Sequence, residues 1–341
     1  MFAAMSFRLS LDVCVQNPQS LHLARRAVNS FMTIVLSVDK NTRILDTMTP
    51  SEPVLAVAAM THLCTGSNWP LSIETLIAAL LKRGLIEKGL GGELYSRVVL
   101  TLAHDSVQRN REGGWPRLMP TFTVHDFLRA LYAEDHHESI NALAPAVLAA
   151  RMNFTHFVPA GEWLTSGVVS ELCHDLLRRK AAMQLAPTQP TYEQLLPIYF
   201  GKESELFDPS KCGAILVQYR NKETATTPEE VFQEEFVSIS PEPGRQSKWE
   251  GAKPIRDTPY FAFDQMVKPI LFLLFDFATA LTASNPLIQV SRSGGEATPH
   301  VWVIHSRGHT ENTFGCLKAM GVGSLSAALF AATKPQDCDG C

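Results

Sequence analysis

The sequence predicts a mixed α/β protein, because segments with helical apolar spacing and segments with strand-like spacing alternate along the chain. The central observation is a predicted hairpin. Two apolar runs of strand length, 194–200 and 213–219, are joined by a polar loop that contains Gly, Asp and Pro. Helical patterns predominate before this hairpin, and further strand-like runs follow it. We therefore expect a sheet flanked by helices, with a largely helical N-terminal part.

The elements predicted before the hairpin rest on apolar periodicity and on cap residues. Glycines at 89–92 let a helix begin close to other backbone, and Glu93 lies in its first turn, where the helix dipole favours an acid. In chain order we expect a small α/β opening segment at 1–50, helices at 54–63, at 71–85 and from about 91, a loop at 106–120, a helix at 124–132, a strand at 151–158 and a helix at 162–183.

The elements predicted after the hairpin begin with an acidic helix at 228–236 and a polar loop at 241–259. A buried strand or short helix at 270–278, strands at 287–291 and 301–305 and a closing helix at 313–320 follow. The domain organisation that we expect is the opening segment at 1–50, one α/β domain at 51–335 with a helical insertion at about 106–186, and a tail at 336–341.

Composition limits the classes of function. A net charge of −4 argues against a protein that coats nucleic acid by charge alone, so such binding would need a local basic patch. Seven cysteines, mostly within apolar segments, predict reduced buried thiols and an intracellular protein of the cytoplasm or nucleus. The N-terminus lacks a signal-peptide pattern. The most apolar run, 269–281, is shorter than the roughly 20 residues that span a bilayer, so we expect no membrane anchor.

Two clusters have the residue types of a metal site but not the spacing. The C-x-x-C sequence at 338–341 has no second pair of ligands, so we interpret it as part of the tail. The Asp-His-His-Glu cluster at 135–138 places its histidines next to each other, and adjacent side chains point in different directions on a helix. A solvated surface is the favoured interpretation there.

The predicted hairpin carries polar residues at its open end. Glu193 precedes the first strand, and Gln218 and Arg220 end the second, where alternation places both on one face. Metal-dependent phosphodiester cleavage is often built from an acid on one strand facing such a pair. The same pattern also occurs at ordinary sheet edges.

The order of these elements and polar residues resembles the PD-(D/E)xK nuclease superfamily. The resemblance implies a restriction-endonuclease-like mixed sheet core, with Glu193, Gln218 and Arg220 as catalytic residues and Glu93 as the helix glutamate. Mg²⁺ would then be held by Glu93, Glu193 and Gln218. This sequence departs from the family pattern because Gln218 is neutral and because Arg220 stays protonated, so it cannot act as a base.

A second resemblance covers most of the chain from about residue 20. The segments TPSEPVLAVAA, GLGGELYSRVVL, RMNFTHFV, FDPSKCGAILVQYRNKE and VWVIHSRGH look like uncharacterised proteins of mushroom-forming (basidiomycete) fungi. Their nuclease-like regions are similar to the C-terminal regions of Crinkler-type proteins. This resemblance implies an intracellular fungal protein and assigns no activity.

Three functional interpretations remain open at this point. The first is a Mg²⁺-dependent nuclease that acts on DNA or RNA. The second is a divergent module that retains the fold without catalysis and binds nucleic acid or protein. The third, a fragment without independent function, predicts an exposed apolar face along residues 1–50.

Overall fold

The structure is a computed structural model that describes residues 2–10, 28–29, 34–38, 45–48, 52–65, 73, 91–109, 121–160, 169–186, 192–220, 269–277, 287–293 and 301–323. Several predictions fall outside these residues. They are the helix at 71–85 (apart from Ile73), the acidic helix at 228–236, the polar loop at 241–259 and the C-x-x-C sequence at 338–341.

Helices and strands alternate along the described chain, as the apolar periodicity predicts. The helices are α1 (Phe2–Arg8), α2 (Glu52–Thr65), α3 (Gly91–Arg109), α4 (Val124–Leu131), α5 (His137–Asn141), α6 (Pro145–Ala149), α7 (Val169–Arg179) and α8 (Gly315–Ala319). The strands are β1 (Ile34–Val38), β2 (Leu45–Met48), β3 (Phe122–Thr123), β4 (Arg151–Met152), β5 (His156–Pro159), β6 (Ala181–Gln184), β7 (Gln194–Tyr199), β8 (Cys212–Arg220), β9 (Ile270–Asp276), β10 (Leu287–Ser293) and β11 (Val301–Arg307).

Nine of the described strands form one mixed sheet. Its main path is β10-β11-β9-β8-β7-β4-β3, and β6 pairs with β7 and with β5. The β7–β8 and β6–β7 pairs are antiparallel, whereas β8, β9 and β11 run parallel to one another. The mixed α/β class is confirmed, with helices on both faces of the sheet.

The predicted hairpin is confirmed as β7 and β8. Its register runs from Gln194 opposite Val217 to Tyr199 opposite Cys212. Apart from Gln194, the buried residues of β7 are apolar, and β8 is buried as far as Val217. Burial on both faces explains why these strands read as nearly continuous apolar runs.

The two faces of the sheet contribute to two separate apolar clusters. Ile215 and Val217 of β8 pack in one cluster with residues of α3 and α4, and we call this side the α3 face. Ala214 and Leu216 pack in the other cluster with Cys173 and Leu176 of α7, and we call that side the α7 face. Strand alternation therefore assigns each polar residue at the strand ends to one face.

Local signals explain why α4 begins where the sequence predicts. The Thr123 side chain accepts a hydrogen bond from the Asp126 backbone N at 3.0 Å, and the Asp126 carboxylate accepts one from the Thr123 N at 3.1 Å. This capping box satisfies two backbone donors that the helix itself cannot pair.

The prediction of one helix over 162–183 is wrong at its C-terminal end. The helix ends at Arg179, Lys180 takes a left-handed conformation with φ 52°, and 181–184 form β6. Pairing with β5 and β7 decides this segment, and such long-range pairing is not encoded in local helical spacing. The predicted helical insertion at about 106–186 likewise contributes β3, β4, β5 and β6 to the main sheet.

Two further predictions differ in their bounds. The strand expected over 151–158 is divided into β4 and β5, and α3 continues to Arg109 into the loop expected from residue 106.

The opening segment forms the two-stranded antiparallel sheet β1–β2, in which Ile34, Val35 and Leu36 are exposed.

Candidate functional site

The open end of the hairpin brings Glu193 to the C-terminal part of β8. The Glu193 backbone N donates to the Val217 carbonyl at 2.9 Å, and the Glu193 Oε2 accepts from the Tyr219 N at 3.0 Å. Continuing the register by one residue beyond the Gln194–Val217 pair places Glu193 opposite Gln218. The carboxylate thus accepts a hydrogen bond from a backbone N–H of β8 just beyond the Gln194–Val217 pair.

Glu93 reaches the same end of the hairpin from the first turn of α3, where the sequence predicts it. Its Oε2 accepts a hydrogen bond from Gln184 Nε2 at 3.3 Å, and the same nitrogen lies 3.1 Å from the Glu193 carbonyl oxygen. Gln184 therefore links the helix glutamate to the backbone of the hairpin glutamate. Sequence analysis did not identify Gln184, because this residue directly follows the helix predicted at 162–183 and no strand is predicted there.

A buried amide network continues from Gln184 into the sheet. Gln194 Nε2 donates to Gln184 Oε1 at 3.2 Å and to the Glu93 carbonyl at 3.3 Å. The Ser96 hydroxyl of α3 donates to Gln194 Oε1 at 2.8 Å. Gln194 is fully buried. The sequence signal for this network is a glutamine at the start of an otherwise apolar strand, because a buried amide needs hydrogen-bond partners.

Tyr219 lies between the two carboxylates. Burial raises the pKa of its phenol well above the ordinary value, and the negative charges of Glu193 and Glu93 raise it further. The phenol therefore stays protonated and serves as a hydrogen-bond donor. Its ring lies against Gly92, where an added Cβ would approach the ring carbons to 2.7 Å.

The sheet separates the remaining predicted residues from Glu93. Tyr219 packs with the α3 face, so its neighbours Gln218 and Arg220 alternate to the α7 face. Arg220 is 8% exposed and is paired in register with Asp276 of β9. Glu93 and Glu193 thus both lie close to Tyr219, Glu193 through the Tyr219 backbone N, whereas Gln218 and Arg220 alternate to the face opposite Glu93.

These residues do not fit a preformed magnesium centre. Over the described ranges there is no group of three His, Cys, Asp or Glu side chains that could hold a metal ion. Glu93 and Glu193 each accept a hydrogen bond from an N–H donor on one carboxylate oxygen, and each carboxylate keeps further lone pairs. Gln218 could add one neutral oxygen, and it lies on the other face from Glu93.

The two adjacent histidines of the 135–138 cluster bind separate backbone acceptors. His136 Nε2 lies 3.1 Å from the Asn312 carbonyl, and His137 Nε2 lies 3.0 Å from that of Arg129. They therefore share no common centre. The described Cys173, Cys212 and Cys316 are buried thiols that form no disulfide within the described part of the chain, as predicted.

Comparison with known proteins identifies a family for this chain. A family model described as "Domain of unknown function (DUF8736)" matches residues 2–230, which is about two thirds of the chain. The chain belongs to the DUF8736 family. Neither a curated protein nor a solved structure matches it.

The DUF8736 match includes α1 to β8 and therefore contains Glu93, Gln184, Glu193, Gln218 and Arg220. Strands β9, β10 and β11 follow the matched region. None of the helices in the described part of this DUF8736 chain is both long and apolar enough to cross a bilayer.

Proposed function

We propose that this DUF8736 chain is a divergent PD-(D/E)xK nuclease-like module that retains the restriction-endonuclease-like fold and binds nucleic acid without cleaving it. The order of elements supports the proposal. A helix with Glu93 is followed by the antiparallel strands β6, β7 and β8, and β9 then pairs parallel to β8. Glu193, Gln218 and Arg220 lie at the end of the hairpin where the resemblance implies an active site. Fungal origin, likeness to Crinkler-type proteins and action inside the cell are part of the same proposal.

One observation carries the non-catalytic part of this proposal. The amides of Gln184 and Gln194 form hydrogen bonds beside Glu93 and Glu193, two of the residues that the resemblance assigns to Mg²⁺. Each amide N–H presents a partial positive charge to a carbonyl or carboxylate oxygen, so it takes the place of a cation electrostatically. The resulting network is a hydrogen-bonded end of the sheet that pairs these oxygens with amide donors.

The identities of Gln218 and Arg220 support the same conclusion. A neutral amide binds Mg²⁺ more weakly than a carboxylate, and a guanidinium stays protonated through the whole physiological range of pH. Arg220 can instead contact phosphate oxygens, since a guanidinium presents several donors in a planar fork. Nucleic acid is therefore the class of partner that this strand end favours.

The alternative is Mg²⁺-dependent phosphodiester hydrolysis, and one observation favours it. Glu93 and Glu193 both act on Tyr219, so two carboxylates do lie near one another. Two carboxylates together with substrate phosphates can suffice for Mg²⁺. The same assay distinguishes the alternative from our proposal.

The test is incubation of the purified chain with labelled single- and double-stranded DNA and RNA, with Mg²⁺, with Mn²⁺ or with chelator. We expect no metal-dependent cleavage, and we expect the protein to bind at least one of these nucleic acids with an affinity that falls as salt rises. The assay includes Glu193→Ala and, as a matched control, Glu138→Ala, because Glu138 is exposed. Cleavage that requires metal, survives in Glu138→Ala and is lost in Glu193→Ala would establish the nuclease. Absence of binding to every nucleic acid would overturn the proposed partner.

A further inference from the structure

Three parallel strands end side by side with charged residues in one row. The register places Arg220 at the end of β8 beside Asp276 at the end of β9, and Asp276 beside Arg307 at the end of β11. Adjacent strands lie about 4.8 Å apart, so Arg220 and Arg307 start roughly 10 Å from each other with Asp276 between them. The carboxyl ends of parallel strands are where open α/β sheets bind ligands.

The row faces the α7 side of the sheet. Phe272 and Leu274 of β9 and Val303 of β11 belong to the α7-face cluster, so alternation directs Asp276, His305 and Arg307 to that side as well. His305 is paired in register with Leu274, one step nearer the centre of the sheet than the charged row. It therefore lies beneath the row rather than beside it.

His305 is the observation that indicates a ligand. Its side chain is 2% exposed, and across the described part of the chain neither ring nitrogen has a hydrogen-bond partner. Its Nε2 lies 3.8 Å from Asp276 Oδ2, which is too long for a hydrogen bond. A buried polar group without a partner is costly, and it is found where a ligand or ion completes the site.

The charges of the cluster define the kind of ligand. Two guanidinium groups flank one carboxylate, so these three side chains together carry one net positive charge. A planar guanidinium group binds two oxygens of a tetrahedral phosphate through a pair of parallel hydrogen bonds, and two arginines can bind one phosphate together. Arg220 is 8% exposed, whereas Gln218 and Arg307 are partly exposed and form the accessible rim. A small terminal group suits a buried site of this kind better than a continuous backbone does.

We propose that Arg220, His305 and Arg307 form a site for a phosphate monoester dianion, such as the terminal phosphate of a nucleic-acid strand. The inference deepens the proposed function, because it rests on nucleic acid being the partner of the nuclease-like module. Inorganic phosphate has the same chemistry and could occupy the same site. The experiment therefore treats the two sources separately.

The first measurement is calorimetric titration of the full chain with inorganic phosphate. We expect saturable binding and a phosphate-dependent rise in Tm. Arg307→Gln should raise the Kd for phosphate at least about tenfold, because it removes two hydrogen bonds from a charged donor. Arg129→Gln is the matched control, because Arg129 is exposed on α4, which packs on the α3 face. His305→Phe should keep the fold and lose most of the phosphate-dependent rise in Tm.

The second measurement compares oligonucleotides of one sequence with and without a 5′-phosphate. We expect tighter binding of the phosphorylated strand, with the difference abolished in Arg307→Gln. Phosphate binding that is unchanged in both Arg307→Gln and His305→Phe would overturn the site. If oligonucleotides bind equally well with and without a 5′-phosphate, and inorganic phosphate does not bind, the phosphate site is excluded while the proposed function stands. If phosphate binds at Arg307 and no oligonucleotide does, the anion site stands as one for free phosphate and the nucleic-acid function fails.

Discussion

Arg8 and Asp105 form a buried ion pair that connects the N-terminal helix to α3. Arg8 Nη1 and Nη2 lie 2.6 and 2.7 Å from the two carboxylate oxygens of Asp105, and Arg8 Nε donates to the Thr155 carbonyl at 2.8 Å. His104 Nδ1 lies 2.9 Å from the same carboxylate, and both charged side chains are almost fully buried. Burial would raise the pKa of Asp105, but the charge and hydrogen bonds of Arg8 lower it to about 2.

Substitution Asp105→Asn should lower the free energy of unfolding by about 3–5 kcal/mol, because it leaves the buried Arg8 guanidinium without its counter-charge. The measurement is urea denaturation at neutral pH. Asp135→Asn is the control, since Asp135 is exposed and should change the free energy by less than about 0.5 kcal/mol. A loss in Asp105→Asn no larger than in the control would contradict the structural importance of this pair.

At the scale of elements, α3 meets the end of β8 through Gly92 and Tyr219. The absence of a side chain at Gly92 lets the Tyr219 ring lie against the first turn of the helix. That contact brings Glu93 to the amide network of Gln184 and Gln194. A close helix-to-strand approach at this point thus positions one carboxylate of the candidate site.

We expect Gly92→Ala to destabilise the protein by about 1–3 kcal/mol, because its Cβ would overlap an aromatic ring that cannot move freely. Thermal denaturation measures the effect. In Gly323→Ala the new Cβ meets the flexible end of Glu311 at 2.9 Å, so this control should show little loss. Tyr219→Leu in the Gly92→Ala background should restore part of the stability. If Gly92→Ala is as stable as the wild type, the packing described for α3 and β8 is incorrect.

At the scale of the whole molecule, ion pairs join elements that are distant in sequence. Glu52 of α2 accepts hydrogen bonds from Arg179 of α7 at 2.7 and 2.9 Å, and its Oε1 lies 3.4 Å from His156 Nε2 of β5. His156 is buried, and its ring stacks on Phe7 of α1 with centroids 5.3 Å apart. Burial alone would raise the pKa of Glu52, yet His156 and Arg179 lower it from 4.5 to about 2.

Stability should therefore depend on pH in the acid range. The folded-state pKa values of Glu52 and Asp105 both lie below their unfolded values, so the unfolded chain binds more protons between about pH 4.5 and pH 2. Their contribution is complete above about pH 4.5 and is lost as the pH falls toward 2. For the fully buried Asp105, the lowered pKa corresponds to about 2 kcal/mol of the free energy of unfolding at neutral pH.

The measurement is the free energy of unfolding in urea at pH 6 and at pH 3. We expect the wild type to lose more stability between these values than Glu52→Gln, which lacks one of the two titrating carboxyls. Glu138→Gln, at an exposed position, should follow the wild type. An identical pH dependence in Glu52→Gln and the wild type would show that the Glu52 contacts contribute nothing to acid stability.

Local patterns in the sequence are sufficient to predict the hairpin, the alternation of helices and strands and the polar residues at the hairpin's open end. Apolar periodicity, turn residues and helix caps are local signals, and β7, β8, α4 and the start of α3 all follow from them. Glu93, Glu193, Gln218 and Arg220 could be selected for the same reason, since each interrupts or ends a local pattern.

Which of these residues contact one another depends on the tertiary structure. The pairing of β6 between β5 and β7 turned a predicted helix end into a strand and brought Gln184 to Glu93. The parallel alignment of β8, β9 and β11 placed Arg220, Asp276 and Arg307 in one row above His305. Strand order and register depend on packing between residues far apart in the chain, and no local spacing encodes that packing.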